Sequence, residues 1–166
     1  MAFADQLLEL AYHLADMNGS PSQASLRRAV STAYYAIFHL LIDEAVSNWA
    51  VVHQRNALGR TFEHKGMKKV CEDYVKNFYS AGQPASGVQL KNVAQTFSSL
   101  QQERHTADYD VSFNWSRTNA MAQVDIASSA FEDWRAIRTL APAQDYLLNL
   151  FLPKAAEIIK SSKDEP

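Results

Sequence analysis

Apolar side chains recur every three to four positions along nearly the whole chain, and no stretch alternates with a period of two, so helices are the elements this sequence can build. Phe3, Leu7, Leu10 and Leu14 mark one stripe and predict a first helix over residues 3–17, closed by Asn18-Gly19. Ser20-Pro21-Ser22-Gln23 reads as the next start, with Ser20 as cap, Pro21 at the first helical position and Gln23 completing a capping box. The second helix then runs over 21–49, with Leu26, Val30, Ala33, Ile37, Leu40 and finally Glu44 along one side. A third helical region, 54–79, holds Gly59 and Gly66, and a kink or interruption is expected near one of them.

Residues 80–87, rich in Gly, Ser and Pro, are the clearest loop. A fourth helix over 88–109 carries Val93, Phe97 and Leu100 on one face, and residues 110–114 turn. Ser116 or Thr118 caps a fifth helix that reaches residue 140 through Ala120, Val124, Ala127, Phe131 and Trp134. Pro142 opens a last helix, bent by Pro153, and the tail 161–166 is expected to fray. Long helices with short connections pack antiparallel to their neighbours. The expected fold is therefore all-α, an antiparallel bundle of five to six helices forming a single domain over 1–160.

A chain of 166 residues buries roughly 70% of its unfolded surface in such a domain and needs no covalent staples. The single cysteine, Cys71, excludes an internal disulfide framework and fits a reducing, cytoplasmic setting. Asp5 and Glu9 sit among the first apolar residues, unlike a signal peptide. The most apolar run, 33–42, is too short to span a bilayer and is followed at once by Asp43 and Glu44, so no membrane partner is expected. The formal net charge of −2 exerts no general pull on nucleic acid, so binding of that kind requires a local basic face.

Three groups of residues can carry chemistry. Extending the Val93, Phe97, Leu100 stripe by one turn reaches Arg104, and a guanidinium in line with core positions needs a partner. Asp108, four residues on, supplies one. Arg104 is then either half of a structural ion pair or an arginine held at a cleft or dimer seam for phosphate. On the second helix, Arg28, Tyr35 and His39 share a face, with Asp43 one turn beyond. His39 has an ordinary pKa near 6.5 and can transfer protons; equally, it can be a packed side chain bonded to Asp43. Thirdly, Arg60, His64 and Lys68 follow one another at helical spacing, with Lys65, Lys69 and Arg55 nearby. Five basic residues in fifteen, against the one acid Glu63, make a patch able to meet phosphates or simply a solvated surface. No Glu-x-x-His pair, phosphate-cradling glycine loop or recognisable metal spacing occurs, so neither a metal nor a cofactor is expected.

Two of these segments are familiar in type. The run Ser31-Thr32-Ala33-Tyr34-Tyr35-Ala36-Ile37-Phe38-His39, preceded by Arg28, resembles a helix of HEPN-domain proteins, and Arg104-His105-Thr106-Ala107-Asp108-Tyr109 resembles a later helix of that family. The resemblance implies a helical bundle that pairs into a symmetric homodimer with a cleft between protomers. It also implies a role among metal-independent ribonucleases, toxin–antitoxin or defence factors, nucleotide binders, or partners of a small nucleotidyltransferase. Catalytic members place a phosphate-binding arginine four to six residues before a proton-transferring histidine. Here Arg104 matches the arginine, but Tyr109 stands where the histidine would be, and His105 points about 100° away from Arg104 on a helix. A phenol with a pKa near 10 is a poor base at neutral pH. Three functions follow as expectations: an RNA- or nucleotide-binding homodimer using Arg104, Tyr109, Arg28 and His39; a metal-independent endoribonuclease with His105, His64 or His39 as acid or base; and a non-catalytic protein-interaction partner.

Overall fold

Seven α-helices and two single 3₁₀ turns build the computed structural model, which describes residues 2–79, 81–82 and 84–161, and the side chains of all of these except 18 and 152–161. The helices are α1 (Phe3–Asp16), α2 (Gln23–Ser47), α3 (Arg55–Gly59), α4 (His64–Asn77), α5 (Ala85–Tyr109), α6 (Arg117–Ile137) and α7 (Ala141–Ser161), and no strand occurs among the described residues. The all-α expectation holds. The helix count exceeds the expected five to six because the third region divides after Gly59. There a Cβ would lie 3.4 Å from Ile42 Cγ2, so glycine lets α3 press onto the end of α2 before the chain turns. Ser80 and Gln83 of the expected loop, and residues 162–166 of the expected tail, lie outside the described residues; Gly82 turns with φ +76°.

Side-chain pairs give the direction of packing. On α1 and α6, Asp5 meets Arg135 at 2.6 Å, Tyr12 meets Asp125 at 2.9 Å and Asp16 meets Arg117, so numbers rise on one helix as they fall on the other. On α2 and α5 the same inversion appears in Arg27 with Ala107 and Tyr35 with Arg104. Both pairs run antiparallel.

α2 is the central helix. Thirteen of its residues are buried, including the unbroken run from Ala29 to Tyr34, which no one-sided stripe would give. Tyr34, Ile37 and Leu41 meet Phe97 and Leu100 of α5 and Phe131 and Trp134 of α6 in the main core. A second cluster of Leu26, Val30, Ala107, Trp115 and Ala120 closes the end where α5 leads into α6. Gln23 pins that end from both directions: its Nε2 donates to the Trp115 carbonyl at 2.6 Å and its Oε1 accepts from the Trp115 N–H at 3.0 Å.

Several local readings change in the structure. Ser22, not Ser20, caps α2 by accepting from the Ser25 N–H at 3.1 Å, because Gln23 is committed to Trp115 and Pro21 stays outside the helix. Ser116 is the cap of α6, accepting from the Asn119 N–H at 3.0 Å. On α1 the alanines Ala4, Ala11 and Ala15 are buried, while Phe3 and Leu10 of the expected stripe are exposed. Small residues let α1 approach α2 closely, and the leucine row is rolled toward the rim. No described helix is long and apolar enough to cross a membrane.

Candidate functional site

The Arg104 side chain crosses from the last turns of α5 to the middle of α2. Its Nη2 donates to Tyr35 Oη at 3.1 Å, and its Nε faces Asp108 Oδ2 at 2.9 Å. Asp108 also accepts from Ser31 Oγ at 3.4 Å, so the carboxylate is tied to α2 as well. Nε is buried and its N–H does not align as a hydrogen bond with the carboxylate, which leaves an electrostatic contact rather than a closed bidentate fork. The Arg104 carbon lies 5.7 Å from the ring centres of both Tyr35 and Tyr109, within cation–π range. Burial works against the guanidinium charge, but the Tyr35 hydroxyl and then Asp108 and Tyr109 outweigh it and hold the pKa above its ordinary value. The side chain keeps 21% of its surface exposed.

The ion-pair reading of the Arg104–Asp108 spacing is met by this geometry. The ion pair forms, and the guanidinium also reaches the half-buried Tyr35.

His64 joins this group from a different element. As the first residue of α4 it stacks on Phe38 with ring centres 4.1 Å apart, and its Nδ1 lies 2.6 Å from the buried Tyr34 Oη. Burial lowers the His64 pKa, and the neighbouring charges of Arg104 and His39 lower it further. The Tyr34 hydroxyl is pushed far above its usual range, mainly by burial, so it remains a neutral phenol that can donate to His64. His39 meets Phe38 edge-on at 5.4 Å and Phe3 edge-on at 4.9 Å. Burial lowers its pKa, with the Asp43 charge acting in the opposite sense.

The remaining sequence candidates are placed as follows. Tyr109 is 63% exposed and touches the exposed His105 ring at 5.0 Å, outside the Tyr35–Asp108 grip. Arg28 is exposed on α2, whereas its neighbour Arg27 donates to the Ala107 carbonyl at 2.9 Å and the Phe113 carbonyl at 2.5 Å. One residue on a helix is a turn of about 100°, which decides which arginine faces α5. Lys68 pairs with Glu72 at 3.7 Å on the outer face of α4, and Arg60 is exposed in the turn before it. The expected basic face therefore divides, with His64 in the cluster, Arg60 exposed and Lys68 half-buried beside Glu72.

Sequence reasoning gave no site role to Tyr34, Ser31 or Arg27, and it read Gln23 as part of a capping box rather than as the partner of Trp115. The doubled Tyr34-Tyr35 was the available signal for the first, since adjacent tyrosines on a buried helix point one ring inward and one toward the rim. Three grooves lined by described residues, between α5 and α6, between α2, α3 and α7, and between α1 and α6, do not include Arg104. Among the described residues, no group of three or more His, Cys, Asp and Glu is arranged to hold a metal ion. No known protein family matches the chain, and no curated protein or solved structure is significantly similar to it.

Proposed function

We propose that this protein is a HEPN-like module that binds RNA or a nucleotide, with Arg104 receiving a phosphate. The observation that carries the reading is the state of Arg104: permanently charged, oriented by Tyr35 and Asp108, and still partly exposed. A preoriented guanidinium loses little rotamer freedom on binding and suits phosphate oxygens. Tyr109, exposed beside it, offers a ring face on which a base can stack. The motif resemblance around Tyr35 and Arg104 supports the same assignment, and with it a homodimer whose seam lies near this face. The exposed apolar residues Val111 and Phe113, just beyond Tyr109, suit such a contact.

The test is binding of a fluorescein-labelled oligoribonucleotide followed by anisotropy. Wild-type protein should bind with a steep salt dependence. Arg104→Ala should lose at least tenfold in affinity with its helical circular dichroism unchanged, and Arg60→Ala should lose little. Equal binding by wild type and Arg104→Ala removes the proposal.

A second reading, a metal-independent endoribonuclease, is favoured by one observation, the presence of a largely neutral histidine beside the arginine. His64 would act as base or acid in place of the histidine missing at Tyr109. Cleavage of RNA in the presence of EDTA that disappears in His64→Gln would support it, and no cleavage between pH 5 and 9 would exclude it.

A further inference from the structure

Resting on the phosphate-receiving reading above, we propose that the site takes its phosphate together with a proton on His64, and so selects a terminal phosphate monoester over an internal phosphodiester.

The charge inventory of the cluster leads there. α5 contributes Arg104, Asp108 and Tyr109; α2 contributes Tyr34, Tyr35, His39 and Asp43; α4 contributes His64, with Glu63 preceding it in the chain and the buried Cys71 near Tyr34. α1 places the Phe3 ring against His39. Asp108 offsets part of the Arg104 charge, so the free site offers an anion one partly neutralised cation. The two nearby imidazoles supply further positive charge only when protonated. What opposes their protonation is the desolvation of their rings and, for His64, the remaining positive charge of Arg104. An arriving phosphate removes the second obstacle, since it screens Arg104 and gives the imidazolium a counter-ion.

Proton uptake of this kind favours the more highly charged ligand. A phosphate monoester carries two negative charges above its second pKa, about 6, whereas an internal diester carries one. The dianion attracts each of Arg104 and protonated His64 twice as strongly at equal distance. Tyr34 shapes the outcome: with its phenol proton retained, it donates to Nδ1 of neutral His64 and leaves the other ring nitrogen protonated. When His64 takes up a proton, Tyr34 must turn from donor to acceptor, a rotation of one hydroxyl.

The experiment is calorimetric titration of the full chain with adenosine 5′-phosphate and with its methyl ester, which keeps the base and ribose but carries a single charge. It is repeated from pH 8 to pH 6.5 in two buffers of different ionisation enthalpy. The expected result is that the monoester binds at least tenfold tighter than the methyl ester and tightens toward tenfold per unit fall in pH as a full proton is taken up. His64→Gln should retain weaker binding with most of the pH dependence lost, and Tyr34→Phe, which leaves the imidazole in place, should shift the pH at which tightening begins. Equal affinity for the two ligands, both lost in Arg104→Ala, overturns the monoester preference and leaves the phosphate site standing. Binding of neither ligand, or binding indifferent to Arg104→Ala, overturns both.

Discussion

Replacing Tyr35 with Phe removes one oxygen and isolates the bond that orients Arg104. The Nη2–Oη contact is 3.1 Å long and its donor is charged. Hydrogen bonds to charged groups contribute about 1.5–3 kcal/mol when fully shielded. Arg104 is 21% exposed, so water replaces part of the lost bond, and about 1 kcal/mol is the expected coupling. The ring of Tyr35 keeps its edge contact with Phe38 in the Phe variant, so packing is nearly unchanged. A double-mutant cycle of Tyr35→Phe with Arg104→Met, followed by urea unfolding, separates the bond from each residue's other contacts. In the wild-type background Tyr35→Phe should lower Tm by about 2–4 °C for a domain of this size; in the Arg104→Met background it should be nearly neutral. A coupling within about 0.3 kcal/mol of zero, below what such cycles resolve, would refute the claim that Tyr35 holds the guanidinium.

Other expectations follow from neighbouring observations. Leu100→Ala, fully buried just below Arg104, should cost about 2–5 kcal/mol in chemical unfolding, whereas Lys68→Ala on the outer face of α4 should stay within about 0.5 kcal/mol. Gln23→Ala breaks both bonds to the Trp115 backbone and should cost about 1–3 kcal/mol, with early hydrogen exchange at Trp115 as its local sign. His39 and His64 have folded pKa values below 6.5, so both states are neutral above that pH and the stability they permit is complete. As pH falls below 6.5 the unfolded chain takes up protons first, and Tm should decline between pH 7 and 5.5. Asp43, whose pKa burial raises, works in the opposite sense at lower pH. His64→Gln should flatten the decline; an unchanged slope would show that His64 is not shielded in the fold.

The helical class, the positions of α2, α5 and α6, and the ion pair of Arg104 with Asp108 could be read from residue order, because each depends on spacing along one helix. What lay hidden depends on two helices at once. The Phe3, Leu7, Leu10, Leu14 row looked like the buried face of α1, yet alanine permits the closer approach to α2, and the smaller face won. Arg27 and Arg28 are equal on paper, and only the rotation of α2 relative to α5 shows that Arg27 does the pinning. His64 sat in a basic run whose period implied one common face. The break after Gly59 restarts the helix at residue 64, so Arg60 no longer shares a helical face with that imidazole, which stacks on Phe38. The cluster of Tyr35, Arg104 and His64 draws on three separated segments, a convergence that periodicity within any one of them does not encode.

Nuclear magnetic resonance of the arginine Nε–Hε and histidine ring signals during titration with a short 5′-phosphorylated oligoribonucleotide reports directly on where phosphate lands. Saturable shifts at Arg104 Nε and the His64 ring, moving together while Arg60 stays still, are the result that phosphate capture by this cluster requires. Saturable binding whose shifts fall on Arg60 and its neighbours, with Arg104 and His64 unmoved, would contradict it.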